Sequence, residues 1–413
     1  MKKLLALLCL ALCAVLFTAT APAFAEEAER ETFTSGDFEY ALLDDGTAEI
    51  TKYGGNADVL TLPDALDGHA VTAIGDYAFY ECYKLTSATI PDSVTSIGDG
   101  AFCQCWYLTS VTIPDSVTSI GDYAFCNCEY LTSVTIPDSV TSIGDLAFSC
   151  CFKLTSVTIP DSVTSIGDWA FSFCHSLTSV TIPDSVTSIG ANPFAHCSSL
   201  TLIAVSPDHP ALAVLDGVLF SMGDKRLVCY PCAFTASSYS VPQGVESIGD
   251  EAFSGCKSLT SVTIPDSVTY IGANPFKTCH NLTDIVVSPD HPVLAVIDGV
   301  LFSKADKRLV CYPYAFTASS YSVPQGVESI GDSAFSGCYE LTSVAIPDSV
   351  TFIGKAAFSG CVWLKSVTIP DSVTSIGDIA FLGCESLTLT VGRDSYAEEY
   401  CIENGLKYAG ANG

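Results

Sequence analysis

The sequence is short of positive charge: 17 lysines and arginines stand against 46 aspartates and glutamates in 413 residues, a formal net charge of −29. Nucleic acid and anionic lipid are both bound through basic patches, so this balance excludes them as partners. Long apolar runs are missing as well. The run from Leu4 to Leu16 is shorter than the ~20 residues of a membrane span. With Lys2 and Lys3 before it and Ala23-Phe24-Ala25 after it, it reads as a secretory leader, residues 1–25, cleaved after Ala25. The exported chain then keeps 15 basic against 46 acidic residues, formally −31. Histidine is sparse too, and the 6 imidazoles lack metal-ligand spacing. Asp208-His209 and Asp290-His291 lie in proline-flanked loops, and no nucleophile has a context such as G-x-S-x-G. No enzyme activity, cofactor or metal is expected.

Repetition is what the chain has in abundance. The 23 residues from Leu108 to Tyr130, LTSVTIPDSVTSIGDYAFCNCEY, recur with small changes; prolines at 91, 114, 137, 160 and 183 keep that interval, and those at 242 and 265, then 324, 347 and 370, resume it. A period of roughly 20 to 29 residues is the leucine-rich-repeat signature. Leu108, Val111 and Ile113 give its L-x-x-L-x-L spacing, with Val111 and Ile113 on one face of a strand. Pro114 ends the strand, Val117 and Ile120 suggest a second extended piece, and Gly121 permits the next bend. Ala124, Phe125 and Cys128 then have the spacing of a helical turn. One unit cannot cover its own apolar centre, whereas stacked units bury it continuously. The expected fold is a repeat solenoid of about 14 rungs, with a parallel β-sheet on one face and short helical turns on the other.

The ends and the interruptions set the expected organisation. Residues 26–62 lack the period and hold two alternating runs around Asp45-Gly46, a β-hairpin that would cap the first open rung. The solenoid follows over 63–391. Within it, the stretch from Ser206 returns 82 residues later from Ser288, and in each copy DGVLFS and RLVCYP flank a polar turn. Two hairpin-bearing inserts are therefore expected, at 206–241 and 288–323. Residues 392–413 read as a C-terminal cap, in which Asp394 or Ser395 starts a helix running to about Glu403 and Asn404-Gly405 ends it.

Repeats of the form LTSVTIPDSVTSIGDxAFxxC, the DGVLFS and RLVCYP insert and the two caps resemble the bacterial BspA-like leucine-rich-repeat family over essentially all of Phe33 to Tyr408. The resemblance implies an exported or surface-associated protein, and it carries no catalytic motif. Several members are adhesins, so it implies a partner that is a host or neighbouring-cell protein. Glycan binding through aromatic residues is the alternative.

Four side-chain columns carry the remaining chemistry. Eleven cysteines, 82, 105, 128, 151, 174, 197, 256, 279, 338, 361 and 384, sit three residues after the repeat Phe. Side chains projecting in parallel from stacked rungs disfavour disulfides, so a buried ladder of free thiols is expected. Off the ladder, Cys103 and Cys126 suggest an exposed bridge in preference to a four-sulfur site with Cys105 and Cys128, and Cys229-x-x-Cys232 lacks a redox context. Asp92, Asp115, Asp138, Asp161 and Asp184 follow the turn proline, while Asp76, Asp99, Asp122, Asp145 and Asp168 follow the glycine. Aspartates at bends read as caps for backbone N–H groups two residues on, rather than as calcium ligands. Ser110 and Thr112 point outward as a neutral β-compatible surface. Against this constant scaffold, large aromatics cluster in the first five rungs, and Trp106, Tyr107, Tyr130, Phe152 and Trp169 are the expected binding residues.

Overall fold

The computed structural model describes residues 30–411. The leader at 1–25 lies outside the described residues. The described chain divides between Ala233 and Phe234 into two compact units.

The first unit begins with an antiparallel meander, Thr32–Ser35, Phe38–Leu42 and Ala48–Tyr53. Its second turn is the one expected at Asp45-Gly46: the Thr47 amide donates to Asp45 Oδ1 at 2.9 Å, and Gly46 takes φ 80°. The cap thus holds one strand more than a hairpin. Its last strand pairs in parallel with His69–Ile74 and so becomes the first member of a strand column. Ser96–Ile97, Ser119–Ile120, Ser142–Ile143, Ser165–Ile166 and Ser188–Ile189 continue that column in strict register, Ile120 lying between Ile97 and Ile143. A second parallel column is formed by Val59–Thr61, Ser87–Thr89, Ser110–Thr112 and their repeats. Each regular rung therefore supplies two short strands. Val111 points inward on one and Ile120 on the other.

The third side is a series of single turns. Cys128 N–H reaches Phe125 O, three residues back, at 3.3 Å. Alternate N–H groups point forward to the next rung instead: Tyr123 to Asp145 O at 2.7 Å, Phe125 to Ala147 O at 2.7 Å and Asn127 to Ser149 O at 2.9 Å. That alternation places Tyr123 and Asn127 in the left-handed region, φ 57° and 59°. Helical spacing is thus present, but the bonds close one turn at a time. Among the described residues, the α-helix is Tyr396–Glu403.

The core is a stack of rings. Phe79, Phe102, Phe125, Phe148, Phe171 and Phe194 are buried one above another with centroids 4.8 to 5.9 Å apart. Burying each is worth ~1.5–3 kcal/mol, and each stacked pair adds ~0.5–1.5 kcal/mol.

The first insert is a three-stranded meander, Leu212–Leu215, Val218–Ser221 and Arg226–Cys229. Arg226 donates to Ile189 O at 2.9 Å and Gly190 O at 3.3 Å. In a regular rung the repeat glycine N–H takes the isoleucine carbonyl, as Gly121 does with Ile97 O at 3.0 Å. The guanidinium supplies that donor at the interruption. His209 fastens the loop before it: Nδ1 accepts from the Ala211 and Leu212 amides at 3.2 and 3.0 Å, which leaves the proton on Nε2 to donate to Pro183 O at 3.0 Å.

The second unit repeats the scheme. Its insert, Leu294–Ile297, Val300–Ser303 and Arg308–Cys311, places its third strand beside Ser329–Ile330, Leu309 pairing with Ile330. The insert strand thereby occupies a place in the column. Tyr312 substitutes for the ladder Phe, 5.3 Å from Phe335. The column of Ser320–Ser322, Ser343–Ala345, Ser366–Thr368 and Thr388–Val391 ends on Tyr408–Gly410. The helix is capped at Ser395, whose Oγ accepts from the Glu398 amide at 3.2 Å, while Glu398 reaches back to the Asp394 amide at 2.7 Å. Ala397, Tyr400 and Cys401 bury its inner face against the last core residues.

Candidate binding surface

Strict register turns each repeat position into a column, so chemistry is decided column by column. None of the eighteen cysteines after the leader is in a disulfide among the described residues. Most ladder thiols are buried, Cys82 and Cys384 being half-buried. Most ladder sulfurs do more than fill space: Cys105 donates to Phe79 O at 3.1 Å, Cys128 to Phe102 O at 3.3 Å and Cys361 to Phe335 O at 3.0 Å, one rung back. Burial pushes the Cys128 and Cys311 thiols well up, which keeps them protonated and unreactive. The exposed bridge expected between Cys103 and Cys126 is corrected: both are buried and no disulfide joins them, because the turn that carries them packs inward beside the Phe stack.

The aspartates after the glycine are structural, but their bonds cross between rungs instead of closing a local turn. Asp76 Oδ1 accepts the Asp99 amide at 2.7 Å, Asp99 the Asp122 amide at 2.8 Å and Asp122 the Asp145 amide at 2.7 Å. Asp332 serves Lys355 N–H the same way at 2.8 Å. Burial first, then the neighbouring carboxylates, raises the Asp99 and Asp145 carboxyls, against the lowering effect of the accepted amides. The aspartates after the proline are exposed, and no group of His, Cys, Asp and Glu suited to a metal ion occurs among the described residues.

The five expected binding residues fall in three columns. One position past the ladder cysteine stand Tyr83, Trp106, Glu129, Phe152 and His175. Trp106 and Phe152 here are half-buried, Trp106 packing on Tyr83 with centroids 4.6 Å apart and Phe152 stacking on His175 at 5.2 Å. Trp169 lies elsewhere in its rung, one residue past Asp168, at φ 51°. The indole N–H groups of Trp106 and Trp169 are buried without a hydrogen-bond partner, so both rings serve the scaffold in part. Two positions past the cysteine, Tyr107 and Tyr130 are 50% and 45% exposed and their rings meet at 5.4 Å. The structure thus brings Tyr107 and Tyr130 together and sets Trp169 apart.

Sequence reasoning passed over Trp363, 61% exposed, at the same column position in the second unit, and Tyr270 and Phe352, exposed on two-residue strands where a serine usually stands. The signal was available for the last two: Tyr270 and Phe352 are large residues at a position where most repeats have serine.

The family model for the BspA type leucine rich repeat region matches residues 72–206, 228–306 and 310–404 in 6 copies. The chain belongs to the BspA-type leucine-rich-repeat family. Among solved structures, a leucine rich cell surface protein from Faecalibacterium prausnitzii is 34% identical over 90% of this chain and 97% of its own, with TM-score 0.51. A leucine-rich repeat protein from Bacteroides ovatus is 27% identical over 92% and 99%, with TM-score 0.49. The pneumococcal vaccine antigen PcpA is 19% identical over 92% and 97%, with TM-score 0.55, a likeness of fold. No curated protein matches. Within this BspA-type solenoid no helix among the described residues is long and apolar enough to cross a membrane.

Proposed function

We propose that the protein is exported to the cell surface or beyond and binds proteins of host or neighbouring cells, without catalysing a reaction on them. The observation that carries this reading is the Tyr107–Tyr130 pair, two large rings left open and in contact on a scaffold whose repeat Phe rings are stacked inside. The resemblance to a cell surface protein of 34% identity supports the location. Support for a non-enzymatic role comes from how the reactive groups are used: thiols and His209 and His291 are engaged in bonds that hold rungs together. Fluorescently labelled full chain is to be incubated with intact target cells before and after protease shaving. Binding that disappears with shaving, and with Tyr107→Ala/Tyr130→Ala, is the expected result. Binding that survives proteolysis and disappears after glycosidase treatment refutes the reading in favour of a glycan.

A further inference from the structure

The column that holds the tyrosine pair continues on both sides into lysine. Lys84, Tyr107, Tyr130 and Lys153 occupy the same position in four successive rungs, each two residues past a ladder cysteine. Backbone bonds fix the column: Tyr130 N–H donates to Trp106 O and Lys153 N–H to Glu129 O, both at 3.1 Å. Both lysines are exposed, and neither ammonium has a carboxylate within ion-pair distance among the described residues. Glu81 and Glu129 stand in the same turns, and the two lysines are the positive ends of the column that holds the aromatic pair. Resting on the protein-binding reading above, the geometry points to an extended acidic segment of the partner protein, lying along the column with carboxylates on Lys84 and Lys153.

Three features select that chemistry. At 5.4 Å and 32° the Tyr107 and Tyr130 rings are tilted against each other and form one aromatic pair in the column. A phenol hydroxyl can donate, and an aromatic edge is the positive part of its quadrupole. Edges, hydroxyls and two ammoniums all favour an anion. Finally, three rungs at ~4.8 Å place the lysine positions about 14 Å apart. In an extended chain at ~3.4 Å per residue, side chains four positions apart lie on one face and span the same distance.

The test uses the purified full chain and a fluorescein-labelled threonine-rich nonapeptide with glutamates at its third and seventh positions, read by anisotropy. A peptide with glutamines at both positions and an oligogalacturonate are the comparison ligands. The glutamate peptide is expected to bind about fivefold tighter than the glutamine peptide, a ratio set by two exposed ion pairs. Lys84→Gln/Lys153→Gln, both at exposed sites, is expected to abolish the difference with an unchanged melting temperature. Equal binding of the two peptides, an undiminished preference in the lysine variant, or binding of the oligogalacturonate alone would each overturn the inference. On intact cells the two readings separate. Protease-sensitive binding that persists in the lysine variant overturns this site and leaves the protein-binding function standing, whereas its absence from the wild type overturns both.

Discussion

Replacing Gly144 by alanine tests the rung contacts most directly. The repeat glycines do not need a left-handed backbone. They are small because the preceding rung passes too close. A Cβ on Gly144 would lie 2.6 Å from Asp122 Oδ1, 2.6 Å from the Gly121 carbonyl carbon and 2.7 Å from the Asp122 amide nitrogen. Backbone atoms cannot swing aside, so the two rungs must part, and the first casualty is the 2.7 Å bond from the Asp145 amide to Asp122 Oδ1. A charge-assisted hydrogen bond contributes ~1.5–3 kcal/mol. Overpacking a tight site costs a further ~1–3 kcal/mol. The smaller unfolded-state entropy of alanine returns ~0.4–1 kcal/mol. Gly144→Ala should therefore destabilise by about 2–5 kcal/mol. Gly223, in an insert turn with nothing within 4 Å of its Cβ position and an ordinary φ, is the control. Gly223→Ala should be neutral or slightly stabilising. Urea titrations of the two variants beside wild type, compared at constant m-value, measure the difference. Equal midpoints for the two variants would refute the argument that close rung approach fixes this glycine.

Three further outcomes are expected. Thr278 is β-branched at φ 56°, its hydroxyl is buried without a partner, and the equivalent positions in four other rungs are Gly255, Gly337, Gly360 and Gly383; Thr278→Gly should stabilise by about 1 kcal/mol in the same titration, and a loss of stability would show the side chain to be needed. Because burial raises the Asp99 and Asp145 carboxyls above 3.8, the folded state binds their protons more tightly than the unfolded state, and stability should rise as pH falls from neutral toward that value. Asp224 and Asp306 act in a separate window: burial pushes them up, but bonds from Ser221 and Arg226, and from Ser303 and Arg308, hold them below 3.8, so their contribution is lost only under more acidic conditions. A melting temperature that falls steadily between pH 7 and 5 would contradict this. Maleimide labelling of the native protein should reach Cys82 first, since the neighbouring Cys105 thiol lowers it and it is half-buried, while the interior ladder stays unlabelled until denaturant is added; intact mass showing most ladder cysteines paired would sink it.

Much of this molecule was legible because its period is strict. Proline spacing gave the rungs, Val111 and Ile120 gave two inward-facing extended pieces, and Asp45-Gly46 and Ser395 marked turn and cap correctly. What a single repeat could not reveal was which bonds leave it. A side chain's partner 23 residues away looks the same, in sequence, as one two residues away, so the aspartate bonds were expected within the turn and are found between rungs. The thiol donors escaped for the same reason, since Cys105 and Phe79 O are 26 residues apart. The binding surface was half legible. Size picked out the aromatics, but whether a ring faces in or out depends on a shift of one position along the turn, which separates half-buried Trp106 from exposed Tyr107.

The aspartate column also bears on how such a chain lengthens. Every regular 23-residue unit carries one carboxylate for the unit after it and one amide for the unit before it, so each added copy adds one bond and the ladder closes whatever its copy number. Duplication or loss of a whole unit leaves no donor orphaned. A change of any other length would shift every Phe, Cys and Asp out of its column at once. Lys355 marks the one kind of exception this grammar tolerates, a unit that receives the bond from Asp332 and has no carboxylate to pass on. Selection can thus edit the length of the scaffold in whole copies and the binding column one residue at a time, with neither kind of change disturbing the other.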